Sequence, residues 1–106
     1  MQRVCFVLQV RPECIEEYTQ RHRNVWPEMQ QALEESGWRN YSLFLRPDGM
    51  LIGYFETDDL QRAMAKMKTY PVNDRWQTEM APLFASNSNT KPDDQLSPLQ
   101  EVFHLN

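Results

Sequence analysis

Residues 3–10 constrain the fold more than any other part of this chain. Their alternation puts Val4, Phe6, Leu8 and Val10 on one side of a strand and Cys5 and Val7, before Gln9, on the other. A sheet containing that strand has to be covered on both faces. The chain has 106 residues, of which 41% are hydrophobic and 25% charged, the balance of one ordinary globular domain. Residues 1–106 are therefore read as a single domain with one core, and the second cover has to come from elsewhere.

Pro12 with Glu13, Glu16 and Glu17 predicts a helix start, where a missing proline N–H costs little and carboxylates meet the positive end of the dipole. Ile15, Tyr18, His22, Val25, Trp26, Met29 and Leu33 follow at steps of three and four, and Ser36-Gly37 supplies a stop. Pro27 interrupts this stripe by removing a donor and crowding the carbonyl of Arg23, so a kink or break is expected between His22 and Glu28. Residues 40–46 and 50–56 alternate about Pro47-Asp48-Gly49, which predicts a β-hairpin. Thr57 and Asp58 are candidate caps for a short helix carrying Leu60, Ala63, Met64 and Met67 on one face. Pro71 opens another helix whose inward stripe is Val72, Trp76, Met80, Leu83 and Phe84.

Residues 85–98 are rich in Ser, Asn, Asp and Pro and read as a loop or an arm around a neighbour, with residues 99–105 as a terminal strand. This order predicts the α+β class and a ferredoxin-like split βαβ domain. Helices in that plan cover one sheet face, yet the hairpin adds Leu43, Phe44, Leu45, Leu51, Ile52, Tyr54 and Phe55. Pairing two sheets face to face in a symmetric homodimer, as a dimeric α/β barrel, is the cheapest cover for so short a chain.

Eleven Lys and Arg against fifteen Asp and Glu give a net charge of -4 without a basic cluster, which disfavours a nucleic-acid partner. No window has the roughly 20 apolar residues of a membrane span, and the start lacks a secretory pattern, so a cytoplasmic protein is expected. Cys5 and Cys14 have neither disulfide-framework nor CxxC spacing and read as free thiols. Only three glycines are present, with no phosphate loop, nucleophile elbow or HExxH, so neither phosphate chemistry nor a metal site is expected.

His22 lies on the aromatic-rich stripe between Arg21 and Arg23, one turn from both Tyr18 and Trp26. A lone histidine among apolar neighbours is more often a satisfied core residue, so ligand-facing and structural readings both stand on pattern alone. His104 reads as a surface or structural residue. Tyr18, Trp26, Trp38, Tyr41, Tyr54 and Trp76 each join a flat apolar face to a hydrogen-bonding tip. Sugars are bound by such rings, with hydroxyls meeting groups such as Asn40, Gln77 or Glu101; ordinary core and interface packing is the other account of the same residues.

The segments EEYTQRHRNVWPEM, NYSLFL, NDRWQTEM and LQEVFHLN together resemble the L-rhamnose mutarotase family across nearly the whole chain. That resemblance implies a dimeric ferredoxin-like domain acting without a cofactor on the anomers of L-rhamnose or a related aldose. It implies His22 as proton donor and Tyr18, Tyr41, Trp76 and Gln77 around the sugar. One departure is visible: Gln77 stands where well-known members carry a second tryptophan, which bears on sugar preference. Mutarotation delivers a proton to the ring oxygen and removes one from the anomeric hydroxyl, and a histidine with a pKa near about 6.5 serves either step. The partner base is left open among a tyrosine, Glu101 and an ordered water. Two other functions fit the same residues: a cofactor-using small monooxygenase of the same dimeric fold, and a non-catalytic sugar-binding regulatory dimer.

Overall fold

A computed structural model describes residues 1–85 and 96–106. The strand β1 (Gln2–Gln9) leads through a 3-10 turn (Pro12–Cys14) into the helix α1 (Ile15–Arg23). The expected break follows at once. Trp26, which precedes Pro27, takes the extended conformation that a proline imposes on its predecessor (φ -54, ψ 135), and Pro27 becomes the first residue of α2 (Pro27–Glu35). The carbonyl of Trp26 accepts the amides of Met29 and Gln30 at 2.9 and 3.0 Å, so the second helix is nucleated on the residue where the first has ended. Gly37, at φ +95, ends α2 as the pattern predicts.

The hairpin comprises β2 (Arg39–Leu45) and β3 (Met50–Thr57), closed by Arg46 N–H to Met50 O and Gly49 N–H to Arg46 O, both 2.8 Å. Asp48 adds a side-chain acceptor for the Met50 amide at 3.1 Å. In β2 the register slips between Arg39 and Ser42, where Asn40 sits at φ 50, so the strand is re-aimed just before Tyr41. Thr57 and Asp58 do not cap the next helix. Thr57 is held in the sheet, and Asp59 Oδ1 accepts the Arg62 amide at 3.0 Å at the start of α3 (Leu60–Met67). The helix α4 (Pro71–Met80) and a 3-10 turn (Ala81–Leu83) complete the regular elements among the described residues, giving a small α+β domain with four α-helices and a three-stranded antiparallel sheet ordered β1-β3-β2.

All four helices lie on one side of the sheet, over a core that includes Val4, Phe6, Val10, Leu51, Phe55, Met67 and Met80. The alternation of β1 is realised, with its odd-numbered side left open. Val7, Ile52 and Phe44, the last 62% exposed, sit on that uncovered face. The expected terminal strand does not form. Pro98 bridges Phe6, Leu99 N–H reaches Cys5 O at 2.7 Å, and Glu101 meets Arg3, but residues 101–106 carry no strand structure. The antiparallel register explains why: with residue 101 already opposite Arg3, later residues run past the start of β1, and Pro98 has no N–H for a ladder. Phe103 consequently stands 78% exposed. Of the predicted 85–98 arm, residues 86–95 lie outside the described residues; Ala85 N–H still bonds Gln9 O at 2.8 Å on the same edge of β1.

Phe6 and Gly53 face each other across β1 and β3, and the absent side chain is what admits the ring: an alanine Cβ at position 53 would land inside the Phe6 ring. Gly53→Ala should therefore destabilise the fold by about 1–3 kcal/mol, read as a lower urea midpoint with unchanged slope. An unchanged midpoint would mean that Phe6 rotates away freely.

Candidate active site

Between α1, α2 and α4 and the helix-facing side of β2 the structure opens two cavities, of about 470 and 60 Å³. Their walls share His22, Trp38, Tyr41, Leu43, Trp76 and Gln77, so they form one cleft, of a size suited to a small organic molecule. Each element contributes for a local reason. The stripe of α1 turns Tyr18 and His22 inward, and the break at Pro27 ends the helix before it would cover them. β2, displaced at Asn40, brings up Tyr41 and Leu43, while α4 presents Trp76 and Gln77.

The aromatic groups fix one another. The His22 imidazole stacks on the Tyr18 ring with centroids 4.1 Å apart at 26°, and meets Trp76 edge-on at 5.3 Å. Trp26 braces the other side of Trp76 at 5.1 Å and 84°. Opposite them Trp38 stacks on Phe55 at 3.9 Å and touches Tyr41 at 5.1 Å. Phe84 closes the row edge-on to Tyr18 at 5.7 Å, and Arg11 donates to its carbonyl at 2.8 Å, which ties the residue after the 3-10 turn Ala81–Leu83 to the segment that follows β1.

The state of His22 follows from this packing. Its Nδ1 lies 2.9 Å from the Tyr18 carbonyl, a group that can only accept, so Nδ1 carries hydrogen and donates. In the neutral ring the lone pair is then on Nε2. Burial pushes the His22 pKa down from its ordinary 6.5, opposed by the bond to the Tyr18 carbonyl, so the ring is neutral at pH 7. Burial also pushes the Tyr18 phenol well above its usual 10, which keeps it an un-ionised hydroxyl. The cleft thus holds a neutral imidazole with a basic Nε2, an un-ionised phenol, and exposed ring faces.

Tyr18, His22, Tyr41, Trp76 and Gln77, singled out in the sequence, all line this cleft. Glu101 and His104 do not. Glu101 pairs with Arg3 at 2.6 Å beside Cys5 and Tyr54 on the opposite side of the sheet, and His104 bonds Asn106 in the tail. Glu101 therefore drops out as the partner base within one chain. Asn40 is exposed and serves the bulge rather than the wall. Sequence reasoning missed Arg23 and Asn73, which also line the larger cavity. Asn73 was visible as the residue one turn before Gln77 on the same helix face. Among the described residues no group of three or more His, Cys, Asp or Glu is arranged to hold a metal ion.

Because the folded state resists protonating His22, the unfolded chain binds more protons below about pH 6.5. The contribution of this group to stability is present at neutral pH and is lost as the pH falls from about 6.5 towards the lowered folded value. NMR titration of the imidazole ring signals is expected to give His22 a midpoint below 6.5 and, in the neutral form, the tautomer protonated at Nδ1. A midpoint at or above 6.5 would mean that burial is not the dominant influence on the ring.

Comparison with known proteins adds an independent line. Residues 3–105 match the L-rhamnose mutarotase family. The chain is 41% identical over 106 residues to an L-rhamnose mutarotase of Opitutus terrae and 40% identical over 106 residues to that of Bacillus subtilis, with 99% of each chain covered in both cases. The crystal structure of an L-rhamnose mutarotase from Formosa agariphila superimposes with a TM-score of 0.78 over 100% of both chains, at 25% identity. Fold, length and family match agree, and the chain belongs to the L-rhamnose mutarotase family.

Proposed function

We propose that this chain interconverts the α and β anomers of L-rhamnose, with His22 as the group that moves the proton. The observation that carries this reading is the Nδ1–H donated to the Tyr18 carbonyl, which leaves Nε2 as the one ring nitrogen open to exchange in the cleft. The anomeric hydroxyl and the ring oxygen of a pyranose are bonded to the same carbon, so a single imidazole nitrogen can reach both. Nε2 takes the proton of the anomeric hydroxyl, and the electrons of that O–H bond form the C1 carbonyl. The C1–O bond to the ring oxygen breaks with its pair on that oxygen, which receives the proton from the imidazolium Nε2. The proton balance is zero and His22 returns to its neutral state. After rotation about C1–C2, the same steps in reverse close the ring on the other face.

Tyr18 positions both participants, donating its un-ionised hydroxyl to the sugar while its ring stacks on the imidazole. Trp76 and Tyr41 supply surfaces for the C–H faces and the C5 methyl group, and Gln77 an amide for a hydroxyl. No cofactor is called for by proton transfer alone, and general acid–base catalysis is typically worth about 10² to 10⁴ in rate. The unpaired thiols of Cys5 and Cys14 support a reducing, cytoplasmic setting.

We infer, too, that the working form is a homodimer on the ferredoxin-like plan, two sheets packed face to face as an α/β barrel. The open face carrying Val7, Ile52 and Phe44 supports this, as do the β1-β3-β2 order and the anchoring of residues 84 and 98 on the outer edge of β1, where a fourth strand belongs. No described helix is long and apolar enough to cross a membrane.

Light scattering should report twice the chain mass of 12.7 kDa at micromolar concentration, and Phe44→Asp should shift the species towards the monomer. A wild-type monomer would remove the dimer. Saturation-transfer NMR of the anomeric protons of L-rhamnose tests the chemistry: His22→Asn, which bonds but does not exchange a proton at neutral pH, should slow enzymatic exchange by about 10² or more. Sugar binding should weaken far less, since the lost interaction is strongest in the transition state. Near-parental exchange by folded His22→Asn would make the residue structural.

A further inference from the structure

We propose that Trp26 is a positioning residue of the sugar site, holding the Trp76 indole from outside the cleft and thereby setting the affinity for L-rhamnose. This rests on the mutarotase reading of the same cleft. Trp76 lines both cavities, whereas Trp26 lines neither. Trp76 meets two rings edge-on, His22 at 5.3 Å and 80° and Trp26 at 5.1 Å and 84°. Both contacts have the T-shaped geometry in which the positive edge of one ring meets the negative face of another. An effect of Trp26 on a bound sugar therefore has to pass through Trp76.

The Trp26 ring can act as a stop because its own backbone is fixed. Pro27 confines Trp26 to the extended region, at φ -54 and ψ 135, and the Trp26 carbonyl accepts the Met29 and Gln30 amides at 2.9 and 3.0 Å. The Gln30 side chain donates to the Val25 carbonyl at 2.9 Å, so the residue before Trp26 is tied to the same turn of α2. Next to Trp76, Arg75 lies 3.6 Å from Glu28, an exposed pair of small energetic worth that joins the same two segments a second time.

Trp76, by contrast, borders open space. An indole beside a 470 Å³ cavity lacks packing partners on that side and has room to turn about its two side-chain torsions. A sugar that stacks on the ring needs one pose of it, and every other pose open to the free protein lowers the apparent affinity by the fraction of molecules in it. His22 is anchored separately, by its bond to the Tyr18 carbonyl and its stack on the Tyr18 ring. Loss of the Trp26 ring thus loosens Trp76 and leaves the imidazole in place, so the effect falls on sugar binding and not on proton transfer.

The test is anomer exchange by saturation-transfer NMR at several concentrations of L-rhamnose. Trp26→Leu should raise KM about three- to tenfold, the worth of an aromatic pair, with kcat within about twofold of wild type. Trp26→Phe, which keeps a ring at that position, should bring KM back to within about twofold of wild type. In a Trp76→Leu background the Trp26→Leu change should add less than about twofold to KM, because the residue it acts through is gone. Trp26→Met carries the same expectations if Trp26→Leu does not fold. A folded Trp26→Leu with parental KM would overturn the positioning role, as would a loss confined to kcat or an undiminished rise in KM in the Trp76→Leu background. Those outcomes leave the mutarotase reading intact, whereas wild-type protein that does not accelerate anomer exchange would overturn that reading and the positioning role with it.

Discussion

The missing N–H and fixed φ of Pro27 shape everything on the helical side of this molecule. Without that residue, the apolar stripe running from Ile15 to Leu33 would favour a single rod lying across the sheet. With it, α1 stops at Arg23 and α2 restarts on the carbonyl of Trp26. His22 is thereby left in the last turn of a helix instead of under the next one, with room in front of it. The same break brings Trp26 edge-on to Trp76, so the feature that opens the cleft also braces its wall.

From that placement the electrostatics follow. The bond to the Tyr18 carbonyl favours a protonated ring, but burial among rings outweighs it and keeps the imidazole neutral. The Tyr18 carbonyl then selects the tautomer, and Tyr18 itself is too buried to ionise. A site built on one base and several neutral hydrogen-bonding or stacking groups suits a reaction that shifts a proton between two oxygens of one carbon with no net change of charge. Nothing in that reaction asks for strong anion stabilisation, and among the described residues the titratable groups lining the two cavities are His22, Tyr18, Tyr41 and Arg23.

Much of this was legible beforehand. The two helices and their interruption, the hairpin about Pro47-Asp48-Gly49 and the inward stripe of α4 depend on short-range rules of period, proline geometry and turn chemistry, which act between residues close in sequence. The cap on α3 was misplaced by a residue or two because Thr57, Asp58 and Asp59 are equally good caps, and the choice belongs to where β3 lets go of the chain. The terminal strand was misjudged for a longer-range reason. Residues 99–105 alternate well enough, yet the register that places residue 101 opposite Arg3 leaves the rest with no strand beside them.

By itself the sequence determined the elements and the two-sided apolar demand of β1, and its resemblance to the family pointed to Tyr18, His22, Tyr41 and Trp76, which the structure brings to one cleft. Local periodicity is enough to say which side chains point inward. Only the tertiary structure decided which inward residues share one cavity, that Asn73 joins Gln77 in its wall while Glu101 pairs with Arg3 across the sheet, and which nitrogen of His22 is open. Those facts depend on distances between residues far apart in the chain, and on desolvation, which no stretch of sequence carries until the helices have closed over the sheet.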